Sequence, residues 1–554
     1  MGIDPDESAY RGASGVMRLI SLLAFRTASL YYLVAAGLFL PLYLPGYNTL
    51  GTDKSKFWIL HLKITLWMFA GSAVLFLVSL IVRTLTEDDP HFSYSFFTDH
   101  KKKTLPHEIW TVLFVVCTCI SYALSERKDI AYLGESNWYI GTWEYIAMCL
   151  CILVIGRTLL GSRFFTGIML LASFAVFAIG MIFDITGDRL EIDGWNTSKM
   201  STVGNINWFC GYMVCVLFVS AACYITACSK NEKDRRVIKT VSAIVFGSGA
   251  YCFFSQGSSS GYPAALAAFV IMLFYCAKDL EKHKYLAELS VIFSAGGLVH
   301  ATFAKLGAIE RSNDDVTKFL DGPVFLLFLL TVSLIIMFML RGSLRSGRKE
   351  TRICTGRAVL AVIFALLVIY AVVVTVNTLK GGFLGTGPVL YFGEDWASSR
   401  GMTISTGLTL FGGMSFTEKL FGTGPDTFYS LIYSGRFPEL AERVTDYFGG
   451  ARLTNAHCEP VTMLVNTGIA GTVCFYGMLV SLVKETYRAV VSKHPDSSFG
   501  AGLHTVALSV SVGIIAYMVN NIFSFQTAMN LSQLSLLVGF GASAVRGLSK
   551  AEDK

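Results

Sequence analysis

Residues 353 to 378 read ICTGRAVLAVIFALLVIYAVVVTVNT, a stretch that carries a single charge, Arg357. Coiled as an α-helix at about 1.5 Å per residue, it is long enough to cross the roughly 30 Å hydrocarbon core of a bilayer. Comparable apolar runs lie near 28–45, 57–82, 107–124, 139–156, 164–184, 207–226, 237–254, 262–277, 286–304, 320–340, 459–483, 503–521 and 526–545. The expectation is therefore an all-α polytopic membrane protein with about 14 spans, in the range 12–14. Composition agrees. Of 554 residues 53% are apolar, 13% aromatic and only 15% charged, with a mean hydropathy of +0.55, whereas a water-facing surface needs roughly a quarter of residues charged.

The net charge of +6 is first a statement about sidedness. With the N-terminus in the cytoplasm, the clusters HKKK (100–103), KNEKDRR (230–236), KDLEKHK (278–284) and RGSLRSGRKETR (341–352) all fall inside. About two-thirds of the 45 Lys and Arg then collect there, the bias that positive-inside topology produces. Both termini are expected in the cytoplasm. No basic face interleaved with aromatics favours nucleic acid. The N-terminal MGIDPDESAYRGASG lacks a compact apolar core with a cleavage site, and position 6 is Asp where myristoylation needs Ser or Thr, so the first span is read as retained. Thirteen cysteines sit mostly inside apolar runs with no C-x-x-C pair, which fits small packing residues rather than disulfides or a structural metal.

After the opening stretch comes one long connection, residues 379–458, placed outside the cytoplasm by this topology. It divides the chain into an N-terminal bundle (1–378), the loop, and C-terminal helices with a short tail (459–554). Connections beyond about 15 residues are commonly functional. Met402, Ile404, Leu408 and Phe411 recur near helical spacing, and Pro438 opens a second segment that aligns Leu440, Val444 and Phe448. Such amphipathic helices lie on a membrane or roof a cavity. The loop holds six Lys or Arg against seven Asp or Glu, and one histidine.

That histidine, His457, stands in NAHCEPVTMLVNTGIAG (455–471), where polar sequence gives way to apolar. Two readings are open: an interfacial anchor, or the catalytic group of an enzyme working on a lipid-borne substrate. A zinc-deaminase reading of H-C-E fails for want of a P-C-x-x-C partner. A Cys458–His457 nucleophilic pair fails because adjacent side chains diverge. His300, near the outer end of the ninth run, is the rival outside and reads as a packed residue. An arginine-rich, near-neutral loop at headgroup depth suits a diphosphate, which guanidinium binds bidentately.

The runs SSRGMTISTGLTLF (398–411), EKLFGTGPDTF (418–428), NAHCEPVTMLVNTGIAG and NNIFSFQTAMNLSQLSLLVGFG (520–541) together resemble the O-antigen ligase and O-antigen polymerase superfamily, in its Gram-positive form. Fainter echoes are AYLGESNWYIGTW (131–143), STVGNINWFCGY (201–212) and SQGSSSGYPAAL (255–266). The resemblance implies a metal-independent, inverting glycosyltransferase of the bacterial cytoplasmic membrane, with a GT-C-like fold and no cofactor. Its donor would be an undecaprenyl-diphosphate-linked oligosaccharide and its acceptor a glycan or lipid-linked glycan, with other polysaccharide-assembly proteins as partners. His457 falls on the family's histidine and Arg400 on its loop arginine, which makes these the expected catalytic residues. A neutral imidazole takes a hydroxyl proton, and arginine offsets charge on a leaving diphosphate.

Three positions depart from the family pattern. Cys458 replaces an asparagine and is followed, after Glu459, by Pro460; Ser258, Ser259 and Ser260 occupy the place of a phosphate-binding arginine; Asn137 and Trp138 centre an element that elsewhere carries another. Arg452 and Arg443 are the expected substitutes. Asp426 and Glu459 complete the expected substrate-binding set, although Asp426 in G-P-D also suits a helix-start turn and Glu459 an ordinary cap. Asn520 and Asn521 read as interhelical hydrogen-bonding residues, and Gly257 and Gly261 as close-packing ones. Other classes compatible with such a chain are a polyisoprenoid-oligosaccharide flippase or transporter, and an inactive relative that scaffolds an export complex.

Overall fold

The structure is a computed structural model. It describes residues 12–44, 50–86, 104–135, 138–158, 162–186, 201–227, 232–276, 279–307, 309, 315–347, 354–387, 389–492 and 498–552. The N-terminal stretch 1–11, the basic cluster 100–103 and Asn137 lie outside these. The described chain is all-helical, without a strand. Twelve of its helices are long and apolar enough to cross a membrane, so the protein is a multi-pass membrane protein. Each of the fourteen apolar runs falls on a helix. Two of those helices, Thr142–Ile155 and Gly261–Cys276, are shorter, with 14 and 16 residues.

Helices that are apolar on every side belong inside a bundle. Ala528–Ser549 is wholly enclosed, and Ile206–Thr226 and Gly500–Asn520 nearly so. These three pack on one another at the centre. Small residues set their spacing, as where Gly513 lies against the Cys215 carbonyl and Gly541 against Val510. At the periphery Pro323–Arg345 and Ala361–Leu379 expose most of their apolar surface. Ten of the eleven described cysteines are buried, nine of them in the bundle and Cys458 in the loop. His300 is packed, as its sequence setting suggested: it is 3% exposed, edge-on to Tyr251 (5.6 Å), with Nε2 4.0 Å from the Asp184 carboxylate.

The run 459–483, expected to be one span, is two helices, Glu459–Asn466 and Gly468–Ser492. The chain breaks because its carbonyls are taken by other partners. Thr423 N–H donates to Val465 O (3.0 Å), Gly424 N–H to Asn466 O (3.0 Å) and Ser121 Oγ to Asn466 O (2.9 Å). At the break Gly468 has φ +68°, and a Cβ there would lie 2.4 Å from the Leu420 carbonyl oxygen. Gly468→Ala meets both the left-handed penalty and a backbone clash, so it is expected to destabilise the fold by about 3 kcal/mol or more. A thermal melt in detergent unchanged from wild type would contradict this.

The connection 379–458 folds about its own small core. Met402 and Leu410 of helix Trp396–Gly413, Phe428 and Ile432 of helix Phe428–Ile432, and Val444 of helix Pro438–Tyr447 pack with Ala456, Cys458, Val461 and Val465. The expected apolar faces hold except at Leu408, which is 49% exposed while Leu410 turns inward. Cys458 is thus a core side chain, 5% exposed, which is a physical reason for an uncharged, compact residue at that position. The loop core continues directly into the helix Glu459–Asn466, so the break at Gly468 fixes the loop to the bundle.

Candidate active site

The polar-to-apolar boundary at 455–459 is built as a tight turn. Asn455 Oδ1 accepts from His457 N–H (2.9 Å), and Thr462 Oγ1 accepts from Ala456 N–H (3.0 Å). The turn puts His457 in the left-handed region at φ +47° and sets its ring edge-on to Phe525, 4.8 Å between centroids. Burial, and secondarily the nearby Arg400 guanidinium, depress the imidazole from its usual 6.5 to about 4. It is therefore neutral at physiological pH.

Arg400 comes to His457 from 57 positions earlier in the chain. Its Nη1 donates to Ser398 O (2.9 Å), and Nε and Nη2 both donate to Phe523 O (3.3 Å each). The preceding Ala397, Ser398 and Ser399 are all left-handed, with φ of 50°, 59° and 67°. Gly401 follows because the Gly393 carbonyl lies where a Cβ would stand, 1.7 Å away. The S-R-G sequence is thus a backbone device for aiming one guanidinium.

Next to this pair, across Phe525, lies a cleft with about 30 Å³ of room for water. Asp426, Glu459, Asn466, Gln526, Trp138 and Phe525 are among the residues that line it. His457 is not. Roughly 10–15 Å³ holds one water, so the cleft admits a hydroxyl-sized group and not a sugar ring. Trp138 is fixed edge-on between Trp208 (5.6 Å) and Phe525 (5.3 Å).

Both carboxyl groups sit where their bland readings put them, Asp426 in a turn just before helix Phe428–Ile432 and Glu459 in the first turn of its helix, but their hydrogen bonds go further. Asp426 does not cap the helix that follows it. Its Oδ2 instead accepts from the N–H groups of Glu135 (2.8 Å) and Ile140 (3.3 Å), across about 290 residues of sequence. Burial raises it from 3.8 to about 7. Glu459, 1% exposed, is not a helix cap either. It accepts from Tyr517 OH (2.7 Å), Gln526 Nε2 (3.0 Å), Tyr476 OH (3.3 Å) and Asn521 Nδ2. Burial, opposed by these donors, raises it to about 7. Tyr145 OH donates to Gln526 in turn. Asn520 and Asn521 do join helices, Asn520 Oδ1 accepting from Cys210 Sγ (3.3 Å) and its Nδ2 donating to Asn521 (2.9 Å). Gly261 packs closely, a Cβ there falling 3.0 Å from Cys210 Sγ.

Removing the Glu459 carboxylate strands four donors, two of them buried, so Glu459→Ala is expected to cost about 2–4 kcal/mol of stability. The folded carboxyl holds its proton more tightly than the unfolded one. Its contribution is therefore complete below about pH 4.5 and lost as pH rises through about 7. Glu459→Gln should flatten part of the fall in melting temperature between pH 5 and 8; an unchanged slope would refute the assignment.

The other expected cations are elsewhere. Arg443 pairs with Glu394 (2.5 Å), both well exposed. Arg452 donates to Tyr429 OH and lies over the Tyr429 and Tyr433 rings. Neither lines the cleft. Ser258 and Ser260, at the place of the family arginine, bond each other (2.8 Å), and Ser260 meets Cys210 Sγ (3.6 Å). Arg400 is close enough to Cys210, which meets Ser260, to act on it electrostatically.

Sequence reading missed Tyr145, Tyr476, Tyr517, Phe525 and Gln526. One signal was present: NNIFSFQT (520–527) sets three amide side chains between two apolar runs. Backbone strain marks the same place. Seven described non-glycine residues have positive φ, namely Tyr139, Ser201, Ala397, Ser398, Ser399, Asp426 and His457. All but Ser201 are at this site or adjoin its residues, and such strain, about 1–3 kcal/mol each, gathers at functional sites. No family model matches the chain, and no curated protein matches it.

Proposed function

We propose that the protein is a metal-independent, inverting membrane glycosyltransferase of the O-antigen ligase or polymerase type, with a GT-C-like bundle of up to 14 spans. It moves an oligosaccharide from undecaprenyl diphosphate to a glycan or lipid-linked acceptor on the outer side of a bacterial cytoplasmic membrane. The observation that carries this reading is the placing of Arg400 and His457 on strained backbone beside a cleft with two carboxyl groups, Glu459 buried and Asp426 partly buried. Arg400 offsets the charge that grows on the departing diphosphate. His457, neutral in the empty site, gains proton affinity when a diphosphate arrives. The acceptor oxygen bonds the anomeric carbon as the carbon–oxygen bond to diphosphate breaks, and the hydroxyl proton passes to a base of the site.

The test uses the full chain in liposomes with undecaprenyl-diphosphate oligosaccharides extracted from the cell that makes it. Release of undecaprenyl diphosphate together with a new glycosidic bond is expected. Movement of the lipid between leaflets without bond formation would instead indicate a transporter. No binding and no turnover would indicate a scaffold.

A further inference from the structure

We infer that Asp426, rather than His457, is the base that takes the acceptor's proton, and that the cleft it lines receives the attacking hydroxyl of the acceptor sugar. The inference rests on the glycosyltransferase reading and assigns a role within it. Three observations lead to it. Asp426 lines the cleft and His457 does not. Among the described residues the Asp426 carboxylate is held by one oxygen: Oδ2 accepts the N–H groups of Glu135 and Ile140, and no hydrogen bond from a described residue occupies Oδ1. Glu459, the other carboxylate there, has both oxygens engaged by side-chain donors, so it offers no comparable acceptor.

The cleft's size agrees with this division. Its 30 Å³ takes a hydroxyl while the sugar ring stays outside. Trp138, fixed by Trp208 and Phe525, gives that ring an apolar wall. The balance is simple. The acceptor O–H proton goes to Asp426 Oδ1, the freed electron pair forms the new bond to the anomeric carbon, and the diphosphate leaves with the electrons of the old one. Arg400 and His457, whose ring contacts Phe525, are left to the diphosphate.

The titratable groups around Asp426 are Glu135 and Glu144, which interact with it electrostatically, Tyr145, and Glu459 across the cleft, with Lys63 acting on Glu144. Of these, the Glu135 charge favours a protonated Asp426. Its affinity, raised to about 7, places its titration in the working range of a general base.

The test compares wild type with Asp426→Asn in the same liposomes and lipid-linked oligosaccharide. Asparagine keeps an oxygen for the two backbone N–H groups and loses the proton acceptor. Expected are a turnover about 100-fold lower at pH 7, lipid-donor binding within about 2-fold of wild type, and loss of the rise in rate through pH 7. Turnover within about 3-fold of wild type would overturn the inference while leaving the glycosyltransferase reading intact. A wild-type rate flat from about pH 5.5 to 8 would also overturn it, even where the variant does not fold. If wild type neither binds nor turns over the lipid, the functional reading fails and this inference falls with it.

Discussion

Arg400→Ala is expected to lower oligosaccharide transfer about 10³-fold, the scale on which a guanidinium acts when it meets charge developing on a leaving phosphate. The guanidinium donates to two backbone carbonyls, Ser398 O and Phe523 O, and Arg400 is not among the buried residues of the loop core. The loss should therefore appear in rate and not in melting temperature. Arg400→Lys is expected to recover only part of it, because an ammonium lacks the planar fork that grips two phosphate oxygens. The measurement is the initial rate of undecaprenyl diphosphate release from liposomes. An alanine variant that works at the wild-type rate would remove Arg400 from the mechanism.

His457→Asn is expected to lower transfer about 10²-fold or more. Asparagine suits the test because it tolerates the left-handed backbone at φ +47°, so the turn survives while the imidazole is lost. The pH behaviour separates its role from that of Asp426. If Asp426 is the base, His457→Asn keeps the rate change near pH 7 at a lower overall rate; loss of that change would instead assign it to the imidazole, whose proton affinity a bound diphosphate raises. Stability gives an independent check. The unfolded histidine binds its proton at about 6.5 and the folded one only near 4, so wild type loses stability as pH falls through that interval. The asparagine variant should lack this component. An identical acid slope in the two melting curves would count against a buried, neutral imidazole.

Much of the bundle was legible in the sequence because the membrane imposes a simple rule: a helix that crosses hydrocarbon must be long and apolar. Every such run proved helical, though 459–483 and 320–340 are each divided between two helices. The rule failed at Thr467, where the composition stays apolar through 459–483 but loop residues 423 and 424 claim the helix carbonyls. Hydropathy does not register a competing hydrogen-bond partner more than 40 residues away. In the loop, helical spacing found Met402 and Val444, and missed that Leu410 rather than Leu408 faces inward, because both are leucines and the apolar pattern of 402–411 fits either face. At the site, His457 and Arg400 were visible as residue types on a loop at headgroup depth. The partners of Asp426 and Glu459 were not, since Glu135, Ile140, Tyr517 and Gln526 acquire their roles only by three-dimensional proximity. Arg452 and Arg443 were chosen by nearness in sequence, and folding gave them Tyr429 and Glu394 instead.

The left-handed turn Ala397–Ser398–Ser399 has a practical consequence for anyone engineering this protein. Three successive L-residues hold a conformation that glycine adopts freely, so glycine substitutions there relax the folded chain. Heat-resistant variants selected without an activity screen should accumulate at these three positions. Each would loosen the segment that points Arg400, and thermal robustness would rise as turnover fell. A library scored for both properties would find them opposed at 397–399 and independent on the lipid-facing helices.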